Sequence, residues 1–231
     1  MFRTTRAQPQ RPDSEATRRH ILDAARALFR EKGFEAATMR EIAARVGLSL
    51  GAAYYYFPSK EAIVAAYYEQ VQQQHLELAT AAFVECRSLK ERLRAAFHTK
   101  LDVMADDQRL LRGLFRFGGD PDHPLSWFGP DTRGQRLASI RVFEAALEGE
   151  RLPDDVRDAA PTLLWTLHMG LLLYFLYDQS EGQKKTRRLV DKAVDFVIDA
   201  KRIALLPLMR PVRRRVLAIL DDAGLLSTKE A

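Results

Sequence analysis

The chain has 231 residues, 47% of them hydrophobic, enough apolar material for one elongated domain or for a small headpiece on a larger body, and the second arrangement is preferred. Its formal charge of +5 is uneven: residues 1–62 hold 11 Lys and Arg against 7 Asp and Glu, so the basic excess sits at the N-terminal end, where it suits phosphate and implies salt-sensitive binding. One cysteine, Cys86, excludes an intramolecular disulfide and any multi-cysteine metal cluster, as a reducing cytoplasm leads one to expect, and packing is its expected role.

Residues 1–13 open the chain with a polar, basic arm that lacks the apolar segment of a signal peptide. It is expected to be flexible, a solvated tail being favoured over an arm that enters a minor groove. Asp13 or Ser14 can cap a helix that runs to Lys32 and carries Ile21, Ala25, Leu28 and Phe29 on one face, with Gly33 ending it. Arg18 and Arg19, near its start, either approach phosphate or stay solvated.

The most informative stretch follows, Thr38 to Lys60. Thr38 with Glu41 three residues on is a capping box, so a helix starts there, with Ile42, Ala43 and Val46 as its apolar stripe. Gly47 supplies the left-handed turn that stops it. Leu48 is an apolar plug, Ser49 a second N-cap, and Gly51–Phe57 allow only two helical turns before Pro58. Ala53 and Phe57, four apart, face inward, which leaves Leu50, Ala52, Tyr54, Tyr55 and Tyr56 for other partners. Three adjacent tyrosines cannot all be buried on so short an element. A tyrosine packs its ring on sugar and donates its hydroxyl to phosphate, and small residues (Gly51, Ala52, Ala53) let a helix backbone approach a groove closely. Ser59 can cap a third helix whose first turn places Lys60 at an anion site.

On Gly33-Phe34, Thr38, Ile42-Ala43, Gly47, Ser49, Gly51, Tyr54, Phe57 and Lys60-Glu61 at this spacing, residues from about Thr17 to Glu61 resemble the DNA-binding domain of the TetR/AcrR family of bacterial transcriptional regulators. The resemblance implies an all-α protein: a three-helix helix-turn-helix headpiece over residues 14–62 and a helical regulatory, ligand-binding and dimerisation domain over residues 63–231. It also implies a homodimer that represses by occupying an operator. By position, Thr38 becomes the phosphate-binding cap, Arg40 a base reader, Tyr54 and Tyr55 backbone or base contacts and Lys60 a phosphate contact. Two departures stand out. Leu50 and Ala52 fall where many relatives place polar base readers, and they can touch thymine methyls but form no bidentate hydrogen bonds. Ala53 is smaller than the usual branched residue. Discrimination then leans on Arg40, Tyr54 and DNA shape.

From Lys60 the pattern stays helical to about Thr80, joining headpiece to body, and in relatives this helix is the lever of induction. A polar break near Glu85–Ser88 precedes a helix from Leu89 to Ala105 with Leu93, Ala96, Phe97, Lys100, Leu101 and Met104 inward, one lysine interrupting the stripe. His98 and Asp102, four apart, make at most a helical ion pair, and no metal site is expected. Gly118–Gly134, with four glycines and three prolines, is a loop without the spacing or lysine of a phosphate cradle. Trp127 and Phe128 inside it need burial, beneath the loop in preference to a cavity mouth. A helix over Arg136–Leu147 ends at Gly149. Another begins at Asp154 or Asp155, and its segment Leu163–Tyr177 is apolar on nearly every face, too short for a bilayer and hence expected to be surrounded by protein. After Gly182, Leu189, Val190, Ala193, Val194, Val197 and Ala204 recur at helical spacing up to Pro207. This pair, around residues 160–178 and 184–205, is expected to form a four-helix dimer interface across a twofold axis, with Val194 in it. A last amphipathic helix carries Arg213–Arg215 on a solvated side.

The function expected is a repressor released from a palindromic DNA operator by a small-molecule effector, the alternative being an architectural DNA binder without one. His98, Met104, Phe115, Trp165, His168 and Tyr174 are aromatic or polarisable enough to line an effector pocket, and His168 is the best hydrogen-bonding candidate. Five histidines without a nucleophile, a carboxylate pair or metal spacing argue against an enzyme, and no cofactor is expected.

Overall fold

In the computed structural model, which describes residues 14–120, 122–127 and 129–222, helices account for all the regular structure. The N-terminal arm, the Asp13 cap and Phe128 lie outside those residues. The chain divides into two compact units, Met1–Tyr67 and Tyr68–Ala231.

The first unit holds α1 (Ser14–Lys32), α2 (Met39–Arg45), α3 (Leu50–Tyr56) and the opening turns of α4 (Lys60–Phe83). The period-3.6 stripe of α1 is buried as its spacing predicts, with Ile21, Ala25, Leu28 and Phe29 joined by Leu22 and Ala24. Burying each large side chain contributes about 1.5–3 kcal/mol, and the Phe29 ring meets Phe34 edge-on at 5.3 Å. Gly47 takes φ +70°, a conformation costly to any residue with a Cβ, so the turn between α2 and α3 can be this tight. Arg18 is half-buried, and its guanidinium lies over the Phe57 ring, 4.8 Å from the centroid.

The second unit holds the rest of α4, then α5 (Leu89–Met104), α6 (Gln108–Gly118), α7 (Arg133–Ala146), α8 (Asp154–Arg157), α9 (Ala160–Tyr177), α10 (Lys184–Ala204) and α11 (Arg210–Asp222). Ser88 and Glu91 form a capping box that starts α5, and the whole expected stripe is buried, Lys100 included. Packing of α5 on α10 and on α7, and of α9 on α6 and α7, builds a core around Phe97, Leu101, Leu114, Phe143, Phe175, Val190 and Val194.

Polar side chains close the ends of these helices. Gln108 donates its amide to the carbonyls of Phe175 and Asp178, and Arg112 donates Nε to that of Leu176 at 2.8 Å, so α6 satisfies the last carbonyls of α9. The Asp178 carboxylate accepts from the amides and hydroxyls of Ser180 and Thr186 and fixes the turn into α10. Trp127 packs edge-on against Phe115 at 4.3 Å and is half-buried. A Cβ on Gly118 would lie 2.2 Å from its ring, so only glycine admits that approach.

Several expectations are corrected. Residues 108–118, for which no helix is expected, form α6 with Gly113 inside it. Asp154 and Asp155 begin α8, a single turn separate from α9. Within the single chain α9 is only partly enclosed: long and apolar enough to cross a membrane by length and composition, it exposes Leu173, Tyr174 and Tyr177. His98 and Asp102 do not pair with each other. Asp191 on α10 accepts from His98 at 3.2 Å, and Arg187 reaches Asp102 at 2.6 Å. Val194 is fully buried within its own chain, whereas Leu189, Phe196 and Ile203, seven residues apart, are the outward face of α10. Arg213 is half-buried and paired with Asp155, leaving Arg214 and Arg215 as the exposed members of the cluster.

Candidate nucleic-acid interface

The two short helices of the first unit are held by their caps. Thr38, in extended backbone, accepts from the Glu41 amide at 3.3 Å while Glu41 accepts from the Thr38 amide at 2.9 Å. Lys32 adds an ion pair to the same carboxylate. The Lys32 ammonium, followed by the Thr38 hydroxyl and amide, holds the Glu41 carboxyl down to about 2. Arg45 is engaged by both oxygens of Glu31 at 2.8 and 2.9 Å, which ties α2 back to α1. Arg40, on the same helix, is exposed.

Ser49 caps α3 by accepting from the Ala52 amide at 3.1 Å. Ala53 is fully buried and Phe57 nearly so, and these anchors fix which side of the helix faces out. Tyr54 is 46% and Tyr55 83% exposed, large aromatic surface that the unit itself does not use. Tyr56 is half-buried, its ring edge-on to Tyr55 at 5.4 Å. Leu50 and Ala52 are half-buried, and Gly51 is exposed with open space where a Cβ would stand. The structure thus brings Ser49, Leu50, Gly51, Ala52, Tyr54, Tyr55 and Tyr56 together on one seven-residue helix and its cap.

Lys60 departs from the expectation of a free phosphate contact. Its ammonium donates to the carbonyls of Phe34, Glu35 and Ala37 at 2.8, 3.2 and 2.7 Å, and it lies over the Phe34 ring. All three donors therefore close the loop between α1 and α2. Lys60→Met should lower headpiece stability by about 1–3 kcal/mol, the scale for charged hydrogen bonds. Chemical denaturation followed by headpiece-specific hydrogen exchange would register it, and unchanged protection in the 33–37 loop would refute it.

The residues nominated for an effector do not form one group. Met104, Trp165 and His168 are buried; Phe115 belongs with Trp127; His98 is tied to Asp191; and Tyr174, 44% exposed, is on an outer face. What surrounds His168 is a polar cluster that sequence reading missed in part. His75 of α4 lies nearly parallel to it, ring centroids 6.1 Å apart, and Phe97 and Phe143 flank it at 5.7 and 5.6 Å. Lys100 of α5 is 2% exposed and donates to Gln72 at 3.0 Å. Burial, then the Lys100 charge, pushes His75 down to about 3; the same causes, with His75 added, push His168 well below the usual histidine range; and burial pushes Lys100 down to about 7. In each case the unfolded chain binds the proton more readily than the folded one, so stability rises with pH. The Lys100 contribution grows from about pH 7 to about 10, and that of the histidines is lost below about pH 6.5. Thermal melts should show a higher Tm near pH 9 than near pH 6, with the upper part of the slope absent in Lys100→Met.

Sequence and structure comparisons agree with this architecture. Residues 21–67 match the family model described as bacterial regulatory proteins, tetR family, and residues 92–213 match one described as tetracyclin repressor-like, C-terminal domain. The chain is 36% identical over 191 residues to the HTH-type transcriptional regulator PksA of Bacillus subtilis, covering 82% of this chain and 93% of PksA. It is 28% identical over 158 residues to the HTH-type transcriptional repressor Rv1474c of Mycobacterium tuberculosis, 68% of this chain and 79% of that one. Among solved structures, Thermus thermophilus FadR, described as a transcriptional repressor in complex with lauroyl-CoA, superposes with a TM-score of 0.58 at 23% identity, covering 77% of this chain and 92% of FadR.

Proposed function

Because the chain belongs to the TetR family of bacterial regulatory proteins and is a DNA-binding transcriptional regulator, we propose that it represses transcription as a homodimer whose two copies of α3 lie in successive major grooves of a palindromic operator. The observation that carries this reading is the pair of exposed tyrosines, Tyr54 and Tyr55, on a helix too short to exist without its buried anchors Ala53 and Phe57. Tyr54, Tyr55 and Tyr56 would meet sugar and phosphate, Thr38 and Ser49 would place the helix starts against the backbone, and Arg40 would read a base edge. Leu50, Gly51 and Ala52 let α3 approach thymine methyls. Lys60 serves by shaping the headpiece.

The outward faces of α9 and α10, with Leu173, Tyr174 and Tyr177 on one and Leu189, Phe196 and Ile203 on the other, would pair across a twofold axis. A small molecule bound in the body would release the operator by favouring a different headpiece separation, which is linkage between two sites. That the Thermus protein is a repressor in complex with lauroyl-CoA supports a small-molecule effector for this chain. α4 is one helix over Lys60–Phe83 and carries His75, so a ligand near His168 would touch an element continuous with the headpiece. Sequencing DNA fragments retained by the purified protein tests the core of the proposal: an inverted repeat with half-sites about one helical turn apart supports it, and retention without any repeat excludes it.

A further inference from the structure

Three basic side chains from three helices, His75, Lys100 and His168, converge in the interior of the body, and none of their partners among the described residues is a carboxylate. His75 Nε2 faces the Ala96 carbonyl at 2.8 Å and so carries the proton, which leaves Nδ1 as a buried acceptor with nothing to accept. His168 Nε2 is likewise buried and unpartnered. Lys100 has one polar contact, the Gln72 amide oxygen, for three donor hydrogens. A core that needed only stability would place apolar residues at these positions, since unmet polar groups each cost free energy. Phe97 and Phe143 beside His168 make the surroundings aromatic.

We infer that this cluster receives the carboxylate of a small organic acid whose apolar stem lies along Phe97 and Phe143. A carboxylate offers lone pairs to the Lys100 ammonium and to protonated ring nitrogens, and it supplies the one charge sign the cluster lacks. A neutral polar ligand would leave the lysine without a counter-charge, and a divalent cation would be repelled by it. The anion also reverses the proton balance. Burial and mutual repulsion keep these groups short of protons when the site is without a ligand, so the acid should enter together with protons taken from solvent. This specifies the effector of the proposed regulator and rests on that reading for its biological role.

The test uses the full chain and calorimetric titration near neutral pH in two buffers of different ionisation enthalpy, with octanoate and 4-phenylbutyrate as probes. Their primary amides and inorganic phosphate are the comparisons. The acids should bind with net proton uptake, and the amides and phosphate should bind more than about tenfold more weakly. Lys100→Met and His168→Phe should lose acid binding to the same degree while keeping helical content and a Tm at or above that of the unaltered chain, because each removes an unmet buried polar group. Amides binding as well as acids, phosphate binding alone, no acid binding at millimolar concentration, or either variant retaining acid affinity would overturn the assignment. Addition of the acids to a DNA complex separates the two levels. Acids that bind with these signatures but leave DNA bound support the site and remove the effector role, whereas release by a neutral compound alone preserves ligand-controlled repression and removes the carboxylate site.

Discussion

Replacing Tyr54 and Tyr55 together by alanine is expected to abolish DNA retention while the protein stays folded and dimeric. Both rings project from α3 and neither packs in the headpiece core, so their removal leaves Ala53 and Phe57 in place. A hydroxyl donating to a charged phosphate is worth about 1.5–3 kcal/mol, and one such bond per subunit, lost twice in a homodimer, already gives roughly 3–6 kcal/mol or about a hundredfold to ten-thousandfold weaker binding. Phenylalanine at both positions should recover the part due to ring packing and not the part due to the hydroxyls. Gel retention at several salt concentrations would separate these, because losing phosphate contacts shifts affinity across all sequences alike. Undiminished retention by the double alanine variant would refute α3 as the DNA-facing helix.

The second large effect lies on α10, where two aspartate substitutions only two residues apart should fail in different ways. Phe196→Asp adds a charge to a surface already 72% exposed in the single chain, so the monomer keeps its fold. Across a twofold axis that charge appears twice in an apolar interface, a cost of several kcal/mol that should yield monomers by light scattering at unchanged helicity. Val194→Asp instead buries a carboxylate in a site with no accessible surface. Its cost should exceed about 4 kcal/mol, comparable to the whole stability of a domain, and circular dichroism should show the body unfolded. A folded monomer from Val194→Asp, or a dimer from Phe196→Asp, would contradict the assignment of the two faces.

That contrast shows what the sequence alone conveys. The headpiece was legible because its information is local: Thr38 with Glu41, Gly47 and Ser49 act within one turn, and the buried pair Ala53 and Phe57 followed from four-residue spacing. The two faces of α10 are not separable in the sequence, since Val190 and Val194 look no more apolar than Leu189 and Phe196, and the positions of α5 and α9 decide which are covered. The role of Lys60 is hidden in the sequence for a related reason. A lysine in the first turn of a helix suggests an anion, but the carbonyls that take its protons come from residues 23 to 26 positions earlier. His75 follows a run of glutamines, and a polar segment of that kind reads as a solvated face. Lys100 interrupts an apolar stripe in the sequence, and its burial gives that interruption a meaning.

The side chains of Gln108 and Arg112 grip the final carbonyls of α9 from a neighbouring helix. Sliding α6 by even half a turn would strand those acceptors away from both donors and water, so α6 and the tail of α9 travel as one piece, like a bolt and its keeper. If α9 faces the second subunit as proposed, a ligand that displaced α6 would drag the rim of that helix along with it, without any relay through the rest of the core.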